Sequence, residues 1–292
     1  MIFNTILGGG GGLEVIDVGS GSVSAGYFMD EACTEAATLE KVIAKADDAV
    51  LYRKLMNAAS WSSGSDAEVQ ATIAAAKAGG VDLTQYWSVG DTRTVSLSAM
   101  AATGVGESHV AQNVQIVLMH KNWVDANGVK HPFLWGLKDG LANGTSGEYG
   151  YMNSSNTNNG GWTSCAMRQT HLPAILALMP TEVKSGIREV NKLTSAGSKS
   201  STINTTADKL FLLSEVEIFV STPISAAGEG TQYDYYKAGN SKVKKQNGSA
   251  TVWWERSPRV VSSTDFCVVS SNGDANYGKA SVARGVAFGL CF

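Results

Sequence analysis

The stretch that decides the fold is Val252–Phe292, VWWERSPRVVSSTDFCVVSSNGDANYGKASVARGVAFGLCF. It opens with two tryptophans and a charged pair, continues through small polar residues, and ends in an apolar segment. The apolar runs predict strands around Phe266–Val269 and Gly285–Cys291. The polar tract has few apolar side chains that could pack in a core. We therefore predict that it is exposed to solvent, on a frame of indole rings and the last strand.

Successive strand residues point to opposite faces of a sheet. We therefore expect one of Trp253 and Trp254 to be buried and the other to lie nearer the surface. Glu255 and Arg256 follow directly and are expected to form a local ion pair of modest energy.

The composition limits the class of protein. The chain has 292 residues, of which 43% are hydrophobic and 17% charged, enough for one large domain with an appendage or for two domains. A formal charge of −3 argues against a nucleic-acid partner. No apolar run reaches the roughly 18–20 residues that cross a bilayer, and no basic region precedes the first apolar stretch. We expect cytoplasmic synthesis and assembly without membrane insertion.

The first part of the chain predicts a separate region. Residues 8–12 are a run of glycines, which predicts either a flexible linker or backbone that passes close to another subunit. The residues before it would be a docking tail or a frayed terminus. The apolar spacing over residues 30–59 favours a helix. Ser65 and Glu68 form a capping box for a second helix, which Gly79 and Gly80 end. We place the boundary there, with an anchoring or assembly region at 1–80 and a display domain at 81–292.

The display domain shows strand periodicity followed by mixed elements. Val95 and Leu97 alternate with polar residues, as in a half-buried strand. Further predicted elements are strands in NVQIVLMH (113–120) and HPFLWGL (131–137), a polar loop at 147–168 held by its aromatic residues, two short helices in 171–190, and a strand or helix in 207–219.

No catalytic or metal-binding motif is evident. The four cysteines are far apart and form no CxxC pair, so we expect free, buried thiols. Glu215 and Glu217 lie two residues apart, a spacing that in a strand gives an ordinary solvated pair of carboxylates. We therefore predict a protein without catalytic residues, metal or cofactor.

Six blocks in order resemble a family of uncharacterised domains found in gut Firmicutes and their tailed phages. They are YWSVGDTRTV, YMNSSNTNNGGWTSCAMR, LPAILALMPTEV, LFLLSEVEIF, QYDYYKAGNSKVK and the terminal block from WWERSP onward, together covering about residues 86–292. The terminal block is similar to the C-type-lectin-like fold of formylglycine-generating-enzyme-like proteins and of the variable proteins of diversity-generating retroelements.

The resemblance implies an α+β, C-type-lectin-like fold with mainly antiparallel sheets, in which a hydrophobic frame carries a solvent-facing ligand site. The implied frame is Trp253, Trp254, Phe266, Val268, Gly285, Val286 and Phe288. The implied ligand-binding residues are Trp254, Arg259, Ser262, Ser263, Thr264, Asp265, Asn272, Asp274, Asn276, Tyr277, Lys279 and Ser281. The calcium-binding Glu-Pro-Asn and Trp-Asn-Asp motifs of sugar-binding lectins are absent, as is the cysteine pair of formylglycine-generating enzymes.

The first hypothesis that follows is a phage virion protein, located on a tail fibre, a baseplate or the capsid surface. Its partners would be other virion proteins, through residues 1–80, and a glycan or protein of the host surface. Particle symmetry favours a homo-oligomer, for which we expect a trimer. The alternatives are a bacterial cell-envelope binding module and an enzyme of the formylglycine-generating type.

Overall fold

The chain folds as a mixed α+β protein, built mostly of β-strands with a few short helices. This agrees with the α+β class predicted from the sequence. The computed structural model describes residues 14–19, 23–37, 41–42, 50–56, 63–78, 82, 84, 86–103, 106, 108, 110–141 and 150–292. It divides into two compact units, Met1–Trp87 and Ser88–Phe292. Within the described residues, no helix combines the length and apolar character needed to cross a membrane. The predicted glycine linker at 8–12 lies outside them.

Among its described residues, the first unit contains a small three-stranded sheet and a 13-residue helix. The elements are β1 (Glu14–Val18), β2 (Val23–Phe28), β3 (Val50–Met56) and α1 (Asp66–Ala78). β3 lies between the other two strands, parallel to β1 and antiparallel to β2. The capping box predicted for α1 is confirmed, since the Ser65 hydroxyl and backbone N–H donate to the Glu68 carboxylate at 2.8 and 2.7 Å.

The helix predicted over residues 30–59 is wrong for its last part. Val50, Leu51 and Leu55 lie in β3, and Leu51 is fully buried in the small core of this unit. The local spacing of apolar residues could not reveal this, because β3 is stabilised by pairing with β1, 36 residues earlier in the chain.

The second unit holds twelve strands in four sheets among its described residues. The strands are β4 (Thr92–Leu97), β5 (Gln112–Val124), β6 (Lys130–Leu137), β7 (Val190–Gly197), β8 (Ser200–Asp208), β9 (Phe211–Leu212), β10 (Lys244–Gln246), β11 (Ser249–Thr251), β12 (Trp253–Pro258), β13 (Asp265–Val269), β14 (Ala275–Lys279) and β15 (Phe288–Cys291). The largest sheet is antiparallel with the order β4-β5-β6-β15-β9. A second sheet has the order β12-β13-β14, and two hairpins pair β7 with β8 and β10 with β11.

Short helices connect the strands. They are α2 (Gly161–Ser164), α3 (Leu172–Ala177), α4 (Thr181–Gly186), α5 (Glu215–Ile218) and α6 (Asp234–Lys237), with a π-helical turn at Met167–His171 before α3. The two predicted helices in 171–190 and the predicted strands from β4 to β6 are confirmed. The ambiguous segment 207–219 contains both types, the end of β8 with β9 and then α5.

The last strand ties the two main sheets together. β15 lies inside the large sheet between β6 and β9. The segment leading into it runs beside β12, where the Trp254 N–H donates to the Gly285 carbonyl at 3.0 Å and the Gly285 N–H to Val252 at 2.9 Å. The predicted frame residues of both segments are therefore buried together.

The β7–β8 hairpin passes very close to the loop before α2. Gly197 has φ +72°, and a Cβ there would lie 1.8 Å from the Asn158 carbonyl oxygen. Glycine is required at this position both by the backbone conformation and by the contact. Gly248, in the β10–β11 turn, has a similar φ of +79° but open space around it.

We predict that Gly197→Ala destabilises the protein more than Gly248→Ala by at least about 2 kcal/mol, because only the first adds a backbone clash to the cost of a left-handed conformation. Urea denaturation of the two variants measures the difference. Equal losses of stability would show that the hairpin can move away from Asn158 freely.

Candidate functional site

The residues predicted to bind a ligand lie mostly at the surface. Ser263, Asn272, Asp274, Asn276, Tyr277, Lys279 and Ser281 are exposed, and Arg259, Ser262 and Thr264 are partly buried. Asp265 is 8% exposed and Trp254 is fully buried. The structure thus places the polar tract outside the core, whereas its ligand remains a prediction.

Arg259 is at the centre of the best-defined group. Its guanidinium carbon lies 3.4 Å from the centroid of the Tyr277 ring, a stacked cation–π contact, and its Nη1 donates to Asp265 at 3.1 Å. Tyr277 is 46% exposed on the edge strand β14. Lys279 pairs with Asp265 across β13 and β14, on the same side of β14 as Tyr277. Two cations and one aromatic ring therefore flank a single carboxylate.

The loop that carries Arg259 is held by a buried asparagine. The Asn158 amide donates to the carbonyls of Ser262 and Asp265 at 2.9 and 2.8 Å, and its oxygen accepts from the Ser198 N–H at 2.8 Å. Asn158 is fully buried, so these bonds fix the loop without competition from water. Nothing in the sequence singles out Asn158, because it lies within a run of polar residues.

A second contact extends the surface towards the loop 153–159. Ala280 donates its N–H to Thr264, and the Ser281 hydroxyl lies 3.1 Å from the exposed Asn156 side chain. We call this group of exposed and partly buried residues the polar face. It comprises Asn156, Arg259, Ser262, Ser263, Tyr277, Lys279 and Ser281.

Three of the predicted residues lie away from the polar face. Asn272 and Asp274 form the tip of the β13–β14 hairpin, where the Asn272 amide donates to Asp274 at 3.2 Å. The tip is separated from Lys279 by the length of β14, about 13 Å at the usual rise per strand residue. Asn276 points to the opposite side of β14 from Tyr277.

The prediction that one of the two tryptophans lies near the surface is wrong. Both are fully buried, and Trp254 therefore belongs to the frame and not to a ligand site. The Trp254 ring covers Gly278 on one face of the sheet and donates its indole N–H to Gly150. On the other face Trp253 donates to the Lys242 carbonyl, so the approach to β10 covers it. The two side chains point to opposite faces of the sheet, as predicted, but other segments of the chain cover both faces.

Beneath β12 lies a network of buried charges that the sequence did not predict. The Arg256 guanidinium donates to both oxygens of Glu217, at 2.5 and 3.0 Å, and Lys192 donates to Glu217 at 2.5 Å and to the Tyr233 hydroxyl at 2.7 Å. All four residues are at most 1% exposed. Glu217 is also the third residue of α5 and forms a capping box with Ser214, the residue before the helix.

The network keeps Glu217 ionised. Burial opposes its charge, but Arg256 and Lys192 outweigh burial and hold the pKa of the carboxyl well below its ordinary value. Burial lowers the pKa of Lys192, whose ammonium lies 4.3 and 4.2 Å from the ring centroids of Trp123 and Phe211. The remaining donors of Arg256 reach the carbonyls of Leu193, Leu212 and Glu229 and the Thr194 hydroxyl.

Two expectations about the acidic residues are thereby corrected. Glu215 and Glu217 are not solvated strand residues, because both are buried in α5. Arg256 pairs with Glu217 and not with its neighbour Glu255, since the strand directs the two side chains to opposite faces. The Glu255 oxygens are buried with no hydrogen-bond partner among the described residues. Burial and the nearby Glu215 and Glu229 raise the pKa of Glu255 well above its ordinary value.

A cleft of about 240 Å³ opens above this network. Its floor includes Lys192, Glu217, Glu229 and Arg256, and Trp123 lines one wall. Glu229 accepts from the Ser195 N–H at 2.7 Å and from the Ser257 hydroxyl. Because the charged groups on the floor are already bound to one another and to the backbone, we interpret them as supports of the fold.

The cysteines offer no reactive thiol. All four are free and buried, as predicted. Burial raises the pKa of the Cys165 thiol to about 12 and that of Cys267 well above its ordinary value, which keeps both protonated at neutral pH. Within the part of the chain that the structure describes, no three His, Cys, Asp or Glu side chains come together as metal ligands.

The chain belongs to the family described as "Domain of unknown function (DUF6273)", whose profile matches residues 117–290. The matched region contains every residue of the buried network and of the polar face. No curated protein and no solved structure matches the chain.

We predict that Arg256→Met destabilises the protein by about 3–5 kcal/mol, because it leaves the Glu217 charge buried without its main partner. Lys237→Met is the matched control: Lys237 forms an exposed pair with Asp234 in α6, and its loss should cost less than about 1 kcal/mol. Urea denaturation measures both. A loss of less than about 1 kcal/mol for Arg256→Met would contradict the supporting role of the network.

We also predict that Glu255→Gln becomes more stabilising, relative to the wild type, as the pH rises from about 5 to about 8. The folded protein keeps the Glu255 proton above the ordinary pKa of 4.5 and the unfolded chain releases it, so the wild type loses stability as the pH rises. Denaturation midpoints across this range provide the measurement. A difference that does not change with pH would show that Glu255 ionises normally in the fold.

Proposed function

We propose that the protein is a structural component of a tailed-phage virion that attaches to the host surface through a C-type-lectin-like ligand-binding domain. The observation that carries this proposal is the polar face, an exposed surface of hydroxyl, amide and basic groups on a frame of buried apolar residues. Polar and aromatic residues presented on a fixed scaffold are typical of binding surfaces.

The architecture of the second unit is compatible with the C-type-lectin-like fold. It has antiparallel sheets, short helices and long polar loops, and its last strand lies inside the main sheet. The buried pair Trp253 and Trp254 together with β15 corresponds to the hydrophobic frame that the resemblance implies.

The proposal assigns no enzymatic activity to this domain. The four thiols are buried, and the charged groups on the floor of the cleft are bound to one another, to the backbone or to a serine hydroxyl. A binding role is therefore favoured over the formylglycine-generating type, which requires reactive cysteine.

In the virion, the first unit would bind other particle proteins, and the second would project outward. The position is a tail fibre, a baseplate or the capsid surface. A homotrimer would present three polar faces together, so that individually weak contacts with a host glycan or protein add up to stable attachment.

We predict that peptides of this chain are found by mass spectrometry in phage particles purified on a density gradient, in constant ratio to a major capsid protein. The envelope fraction of the host culture is the control. Finding the chain in the envelope fraction and not in particles would reject the virion assignment and favour the cell-envelope binding module.

We further predict that Tyr277→Ala combined with Lys279→Ala lowers the affinity of the chain for host-envelope preparations by about tenfold or more, since both side chains belong to the polar face. Lys130→Ala removes an exposed lysine on β6 and should leave binding unchanged. A sedimentation assay on intact envelopes measures binding, and circular dichroism confirms folding. If both variants bind like the wild type, the polar face is not the ligand site.

A further inference from the structure

Arg259 has hydrogen-bonding capacity that the fold does not use. Of its five N–H donors, one on Nη1 is bound to Asp265, and Nε and Nη2 have no partner among the described residues. The side chain is 26% exposed, so the guanidinium is partly open to solvent.

The free donors are also held in a fixed orientation. The Tyr277 ring supports one face of the guanidinium at 3.4 Å, and Asp265 holds one of its edges. Asp265 in turn accepts from the Thr264 hydroxyl at 3.0 Å, and its carbonyl accepts from buried Asn158. An arginine fixed in this way loses little side-chain entropy when a partner binds.

A planar guanidinium with free N–H groups matches the geometry of a carboxylate, which it can bind through two parallel hydrogen bonds. Lys279, opposite Asp265 on the neighbouring strand, adds a second positive charge. Arg259 and Lys279 carry two positive charges against the one negative charge of Asp265. This net positive charge favours an anionic partner.

The surroundings favour a protein over a polysaccharide as the source of that carboxylate. Arg259 covers one face of the Tyr277 ring, and this face is therefore closed to a sugar that would stack on it. Val261, in the turn closed by the Ser262 N–H and the Arg259 carbonyl, is 64% exposed. Arginine and tyrosine beside an exposed apolar side chain are typical of protein–protein contacts.

We propose that Arg259, stacked on Tyr277, binds a carboxylate side chain of a partner protein. This inference rests on the proposed function, since it names the chemistry that the polar face recognises. Arg259 is the binding residue, and Tyr277 and Asp265 position it.

The test is a titration of the full-length chain with fluorescein-labelled Gly-Glu-Val-Glu-Gly, followed by fluorescence anisotropy. Gly-Gln-Val-Gln-Gly is the neutral control, and oligogalacturonate provides an acidic glycan. We expect the Glu peptide to bind at least about tenfold more tightly than the Gln peptide, since a charge-assisted bidentate pair is lost with the carboxylate. Oligogalacturonate should compete weakly, and the advantage of the Glu peptide should fall with added salt.

Arg259→Lys keeps the charge and removes the planar fork, and we expect it to weaken binding of the Glu peptide by about tenfold. Lys130→Gln removes a distant exposed charge and should change affinity by less than about twofold. Equal affinity for the Glu and Gln peptides, wild-type affinity in Arg259→Lys, or no peptide binding at millimolar concentration would each overturn the proposal. Binding of oligogalacturonate in preference to the Glu peptide would also overturn it, in favour of an acidic glycan.

The outcome separates this inference from the proposed function. If Tyr277→Ala with Lys279→Ala abolishes envelope binding while Arg259→Lys binds envelopes like the wild type, the carboxylate site is rejected and the binding role of the polar face stands. If neither change affects envelope binding, the attachment function fails, and a preference for the Glu peptide would remain as a separate property of Arg259.

Discussion

The bidentate pair between Arg256 and Glu217, with Lys192 on the same carboxylate, is the interaction on which the second unit depends. Three ionised groups that are almost fully buried are tolerated only when each is paired and hydrogen-bonded. Arg256 satisfies this requirement through carbonyls contributed by β7, β9 and the loop before α6. The charge cluster thus fixes the position of β12 relative to segments that are distant in sequence.

The location of β12 determines where the polar face is presented. Its two tryptophan side chains are buried on opposite faces of the strand, and β13 and β14 continue the sheet. The loop between β12 and β13, residues 259–264, begins at the end of β12. Asn158 ties that loop to the β7–β8 hairpin from inside. Polar side chains are consequently displayed from backbone that is held on several sides, a geometry in which a ligand would not need to order the loop.

Much of the fold could be predicted from the sequence, because strands such as Thr92–Leu97 carry their burial pattern locally. The exposure of Tyr277 and Lys279 followed equally from the polar composition of their segment. The predictions that were wrong concern residues whose contacts are made by other segments of the chain. Trp253 is covered by the segment that contains Lys242. Arg256 pairs with Glu217, which lies in a helix 39 residues earlier, and not with the adjacent Glu255. Nothing in the neighbouring sequence predicts that single polar residues such as Lys192, Glu217 and Asn158 are buried.

Hydrogen exchange followed by mass spectrometry tests most directly whether the polar face rests on a rigid frame. The amides of Trp254 and Arg256, bonded to Gly285 and Leu213, should exchange only through global unfolding, whereas amides at the hairpin tip around Asn272 should exchange orders of magnitude faster. If the β12 amides exchanged as fast as those of the tip, the frame would open locally. That result would contradict the claim that the polar face rests on a rigid frame.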